Sequence, residues 1–176
     1  LTPLQNILLC DLAEGDKVEL ERMLEEYGIP RSEQISNARK HSMACPAIPT
    51  CGLAISESER ALPAIIDGLE AELRRLGLEK EIIGVRMTGC PNGCVRPYQS
   101  DVGIVGRSGD KFTLFVGGHI LGHRLNFLLR DLVPFEEIVP TLTPLLERFR
   151  AERQPGECFG DYCQRLGPER VQALVA

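Results

Sequence analysis

"EIIGVRMTGCPNGCVRPYQSDVGIVGRSGDKFTLFVGG", residues 81 to 118, decides the fold class. Its first nine residues cluster aliphatic and β-branched side chains and read as a buried strand that delivers Gly89 and Cys90 to its end. "DVGIVGR" and "KFTLFVGG" follow as two more strands joined by "SGD", a glycine-containing turn of hairpin type, so they should pair antiparallel. On the N-terminal side, "SESERALPAIIDGLEAELRRLG" predicts a long amphipathic helix, with Ser56 and Glu59 in the spacing of a capping box and Gly77 as its stop. Further out, "QNILLCDL" is strand-like, and "DKVELERMLEEYG" predicts a surface helix ending at Gly28. On the C-terminal side, "PFEEIVPTLTPLLERFRAERQPG" predicts a helix broken near its start by Pro140 and Pro144, and "FGDYCQRLG" a short final helix or turn. Strands and helices in this order, with no linker or repeat, predict a single α+β unit over 1–176. Its sheet is expected to be mixed or antiparallel, with packed helices.

The 176 residues, 43% of them hydrophobic, suit one compact domain. Net charge is −5, and the four lysines (Lys17, Lys40, Lys80, Lys111) are scattered, so no basic stripe points to nucleic acid. The apolar runs fall well short of the roughly 20 residues of a membrane span, and no basic n-region marks a signal peptide, so the expectation is a cytoplasmic protein. The chain starts on Leu1 in what reads as a strand already under way, which suggests a piece of a longer polypeptide.

Seven cysteines without a secretory signal argue for reduced thiols or metal ligands over a disulfide framework. "CPAIPTC" has five residues between Cys45 and Cys51, and "CPNGC" has three between Cys90 and Cys94. A structural zinc site fits the wide, proline-containing first spacing poorly. A cubane iron-sulfur cluster accepts wider and unequal spacings on stiff loops. Four buried cysteines acting as small hydrophobes remain the bland alternative. Pro91 suits the first position of a helix, so Cys90 is expected at the cap and Cys94 one turn later on the same side, with free N–H groups facing the sulfurs.

"ACPAIPTCGLAISESERALP" with "RMTGCPNGCVRPYQSDVGIVGR" resembles the C-terminal region of the sirohaem and [4Fe-4S] sulfite and nitrite reductases, and the resemblance runs over almost the whole chain. It implies the cluster-binding C-terminal part of that fold. It also implies Cys45, Cys51, Cys90 and Cys94 as cluster ligands, Cys94 as the thiolate shared with the sirohaem iron, and a sirohaem contact for Asn92. "CPNGCVRPY" is more like the sulfite than the nitrite enzymes, and "RPY" with "FGDYCQRLG" more like the ferredoxin-dependent branch. Val95 departs from the small residue expected after the fourth cysteine.

The implied reaction is the six-electron reduction of sulfite to sulfide, with ferredoxin or a flavoprotein as electron donor. Nitrite reduction, or an iron-sulfur electron-transfer module without sirohaem, is the alternative. An anionic substrate and a polycarboxylate macrocycle need several basic side chains, and only Arg86 and Arg96 flank the cysteines. No catalytic residue is therefore assigned in this segment, and the N-terminal part of the same reductase is the expected partner.

Elsewhere, His119 and His123 lie four apart without the Glu of a zincin motif and read as surface or supporting histidines. Cys10 reads as buried filler in a strand, and Cys158 and Cys163 as free thiols, a redox or disulfide role being the alternative. "VGGHILG" lacks the Gly-Lys-Ser/Thr ending of a phosphate loop.

Overall fold

The computed structural model describes residues 1–175. Its sheet runs β1 (Ser42–Ala44), β2 (Val85–Thr88), β3 (Val102–Ser108), β4 (Lys111–Val116) and β5 (Phe127–Pro134), in that spatial order. The pairs β1/β2 and β2/β3 are parallel, and β3/β4 and β4/β5 antiparallel. The sheet is therefore mixed and the fold α+β, as the sequence predicts. Gly109, at φ 58°, turns the β3/β4 hairpin.

Helix α1 (Lys17–Glu26) and the single turn α2 (Asn37–Lys40) precede the sheet. Helix α3 (Leu62–Leu76) makes the crossover from β1 to β2. Then α4 (Ile138–Glu152), α5 (Phe159–Leu166) and α6 (Pro168–Ala173) close the chain. Leu62, Ile65, Ile66, Leu69, Leu73 and Leu76 recur at helical spacing on α3 and pack with α4 and one face of the sheet in a single buried cluster. Among the described residues no helix is long and apolar enough to cross a membrane.

Several local expectations are corrected. Residues 5–12 form no strand, and Cys10 is exposed rather than buried. The free edge of β1 is met instead by the Gln5 side chain, whose amide donates to Ala44 O at 2.8 Å and accepts from Ala44 N at 3.1 Å. One side-chain amide thus supplies the donor and acceptor that a neighbouring strand would offer, and Asn6 adds a single side-chain bond to Lys40 O at 3.2 Å. Helix α3 begins at Leu62, not in a Ser56/Glu59 capping box: Ser56 is held on the second cysteine loop, its N–H donating to Gly89 O at 3.0 Å, and its buried hydroxyl has no hydrogen-bond partner among the described residues. Its end on Gly77, at φ 67°, is as expected. Pro144 lies inside α4 without ending it, and Pro140 falls in the first turn, where a missing N–H is no loss.

Candidate metal centre

Parallel pairing of β1 and β2 puts their C-terminal ends side by side, with Ala44 opposite Met87. The two cysteine loops leave from those ends, a position that open parallel sheets use for ligands. Cys45 N donates to Met87 O at 3.2 Å, and Gly89 N donates to Cys45 Sγ at 3.3 Å. The first loop then folds back over the second: Ile55 N and Ser56 N both donate to Gly89 O, at 2.8 and 3.0 Å. A Cβ on Gly89 would lie 2.5 Å from Ser56 O and 2.7 Å from the Ala47 methyl, so only glycine lets the loops approach this closely. Arg60 donates to Ile48 O at 2.8 Å while paired with Glu57, which ties the outer turn of the first loop to the start of α3.

The second loop is not the helix start that Pro91 suggested. Residues 91–95 form two successive turns, with Gly93 at φ 67° and Arg96 at φ 57°, and Arg96 N donates to Gly93 O at 2.7 Å. Left-handed backbone at Gly93 stops helical propagation, so Cys94 does not follow Cys90 on one helical face. Cys90 is buried and Cys94 exposed. The Tyr98 ring closes the loop from outside, edge-on to Phe115 with centroids 5.2 Å apart, and its hydroxyl donates to Pro91 O at 3.2 Å. Burial, then the Cys90 thiol, pushes the Tyr98 phenol above its ordinary value. Asn126 Nδ2 donates to Pro97 O and Ser100 O, at 2.7 and 3.2 Å, and fixes the loop's exit. Arg86, only 3% exposed, donates to Arg96 O at 3.3 Å and Ile120 O at 3.4 Å. Burial, then Arg96, lowers its pKa, against the pull of Asp101.

The donor set fits a cluster better than a single ion. All four thiols are free. Among the described residues, no three of the four come within 4.8 Å of one another. Tetrahedral zinc, with Zn–S of about 2.3 Å, holds its sulfurs within roughly 4 Å of each other, whereas a cubane offers four separate iron corners. Cys45 packs with Met43, Ala47 and Val95 in a small apolar cluster, with Leu4 and Ala54 against it, so the inner side of the site is dry. The departure at Val95 is explained here, since its side chain helps to cover Cys45.

The match to known proteins agrees with this geometry. Residues 37–176 match the family model described as the nitrite and sulphite reductase 4Fe-4S domain. The chain belongs to this family. Among its relatives, it is 42% identical over 167 residues to a sulfite reductase [NADPH] hemoprotein beta-component of Staphylococcus carnosus, covering 95% of this chain and 29% of that one. It is 45% identical over 165 residues to the protein of the same name in Acidithiobacillus ferrooxidans, covering 94% of this chain and 29% of that one. The solved structure of Mycobacterium tuberculosis NirA protein superposes with a TM-score of 0.81 at 25% identity, over 97% of this chain and 33% of that one. The chain thus spans about 29% of the length of the curated relatives it matches. Their names carry NADPH and give no support to ferredoxin dependence.

The structure brings Cys45 and Cys90 into contact-forming strand ends and puts Cys51, half-buried, and Cys94, exposed, on the outer parts of the loops. Asn92 is exposed between Cys90 and Cys94. Three supports escaped the sequence reading: Gln5, Tyr98 and Asn126. They act through contacts 7 to 39 residues away in the chain, which no local spacing announces.

Proposed function

We propose that this chain is the cluster-carrying part of a sulfite reductase, with Cys45, Cys51, Cys90 and Cys94 as the ligands of a [4Fe-4S] cluster and Cys94 shared with the iron of sirohaem. The supporting observation is the pair of loops raised from two adjacent parallel strand ends, tied together through Gly89, with all four thiols free. Bound there, the two cofactors supply one-electron transfer into the six-electron reduction of sulfite to sulfide.

The chain's own residues hold, shield and expose. Cys45 and Cys90 anchor in dry surroundings, and the Gly89 N–H offsets negative charge on the Cys45 sulfur. Cys94 and Asn92 lie on the accessible side of the second loop, where a flat macrocycle can approach them. Arg86 is committed to backbone carbonyls inside the fold, so it is not free to bind a substrate anion. Of the two arginines beside the cysteines only Arg96 is exposed, so most of the basic side chains for sulfite and for the macrocycle's carboxylates are expected from the part of the relatives' length that this chain does not span. The isolated chain is expected to reduce neither sulfite nor nitrite, even with sirohaem and a chemical reductant supplied. The electron donor is a flavoprotein drawing on NADPH, a reading supported by the relatives' names.

Magnetic spectroscopy of the complete enzyme tests this. Cys94→Ser should change the axial ligation of the sirohaem iron and its coupling to the cluster beyond any loss of cluster occupancy, while Cys45→Ser should act on cluster occupancy alone. Unchanged coupling in a Cys94→Ser enzyme that keeps both cofactors, with coupling lost in Cys51→Ser, would move the bridge to the first loop and defeat the assignment.

A further inference from the structure

We propose that His119, Cys158 and Asp161 form a binding site for one divalent cation of the zinc class, distinct from the four loop cysteines. One ligand atom from each lies within 4.8 Å of the others, and this is the only such trio among the described residues.

Its construction is specific. His119 sits in the segment after β4, while Cys158 is the N-cap residue of α5 and Asp161 lies in that helix's first turn. The two segments meet through glycines. A Cβ on Gly160 would lie 2.5 Å from Asp101 Oδ1 and closer still to Gly118 O, so the start of α5 rests directly on the His119 segment. Arg124 locks the approach, donating to Gly117 O at 2.8 Å and Gly118 O at 3.0 Å while pairing with Asp161 Oδ1 at 2.7 Å. That leaves the second carboxylate oxygen of Asp161 for a cation. The His123 ring lies against His119, centroids 3.9 Å apart, and limits its rotation.

The donor set is imidazole nitrogen, thiolate sulfur and carboxylate oxygen. Such a mixture selects zinc over the all-oxygen preferences of magnesium or calcium, and three protein ligands leave a fourth tetrahedral position for water. Zinc–ligand bonds of about 2.0 to 2.3 Å bring ligand atoms within roughly 4 Å of each other, so the trio closes by about an ångström on binding. Cys158 is a free thiol beside the Asp161 carboxylate and must give up its proton to ligate a cation. The cation takes the place of that proton, which leaves to solvent as the Zn–S bond forms.

Zinc chloride added to anaerobically prepared, cluster-loaded protein provides the test, read by peptide-resolved alkylation. One equivalent should slow iodoacetamide modification of Cys158 at least tenfold, leave exposed Cys10 unaffected, and be reversed by EDTA. In a zinc titration, His119→Gln should weaken this site at least tenfold, with unchanged circular dichroism. Cys158 alkylation insensitive to zinc would overturn the site, and so would a folded His119→Gln protein that binds zinc as tightly as the parent. Alkylation uses the unaltered protein, so it decides the matter even if the variant fails to fold. Loss of this site would leave the loop-cysteine assignment standing.

Discussion

Cys45 and Cys90 lie just past the ends of β1 and β2 and are 8% and 7% exposed, whereas Cys51, half-buried, and Cys94, exposed, sit farther along the same loops. The inner thiols inherit their positions from strand pairing and would stay put in the metal-free protein. The outer thiols depend on loop turns, on Gly93, and on clamps from Tyr98 and Arg60. On the ligand assignment proposed above, the difference separates two tasks: the inner pair would seat a cluster in the fold, and the outer pair would meet whatever approaches from outside.

Changing the point where both loops meet should have the largest effect. Gly89→Ala forces a methyl onto Ser56 O and Ala47, so we expect about 3 kcal/mol of lost stability by chemical denaturation, at the upper end for overpacking, and no cluster uptake. Next comes the contrast within the loops, measured on metal-free protein. Cys45→Ser places a hydroxyl among Met43, Ala47 and Val95 and should cost about 1–2 kcal/mol, while Cys94→Ser at the surface should cost less than about 0.5. Equal losses would erase the distinction between inner and outer thiols. Gly93→Ala, strained at φ 67° and 3.1 Å from the Tyr98 ring, should cost about 1 kcal/mol and mainly increase alkylation of Cys94.

The smallest effect concerns the clamp on the outer turn of the first loop. The Ser58 N–H, opposed by burial and aided by the Arg60 guanidinium, holds the Glu57 carboxyl below its ordinary value. A depressed carboxylate contributes stability above its unfolded pKa of 4.5, and that contribution is lost as pH falls through the folded value. Glu57→Gln should therefore lower stability by at most about 0.5 kcal/mol at pH 7, as for an exposed ion pair, and the difference from the parent should vanish at acid pH.

Much of the framework was legible in the sequence. Aliphatic clustering marked β2 and the β3/β4 hairpin, the long apolar periodicity marked α3, and Gly77 marked its end. The cysteine spacings marked two loops that the structure raises from adjacent strand ends, because candidate ligand chemistry is written in residue types. Other features were decided by distant contacts. β1 is three residues long and exists through its pairing with β2. "NILLCDL" has strand composition but no strand partner, and β5, with Leu128, Arg130 and Leu132 facing out, carries too mixed a pattern to stand out from its neighbours. The "CPNGC" helix failed on one dihedral, since glycine permits helical and left-handed backbone alike and the choice at Gly93 came from packing under Tyr98.

The central claim is that the four loop cysteines, and no others, hold the cluster. Iron and acid-labile sulfide should be counted after anaerobic reconstitution of seven single Cys→Ser proteins. Cys45, Cys51, Cys90 and Cys94 variants should each lose most of both elements, and Cys10, Cys158 and Cys163 variants should match the parent. A Cys158→Ser protein as depleted as Cys90→Ser would contradict the account.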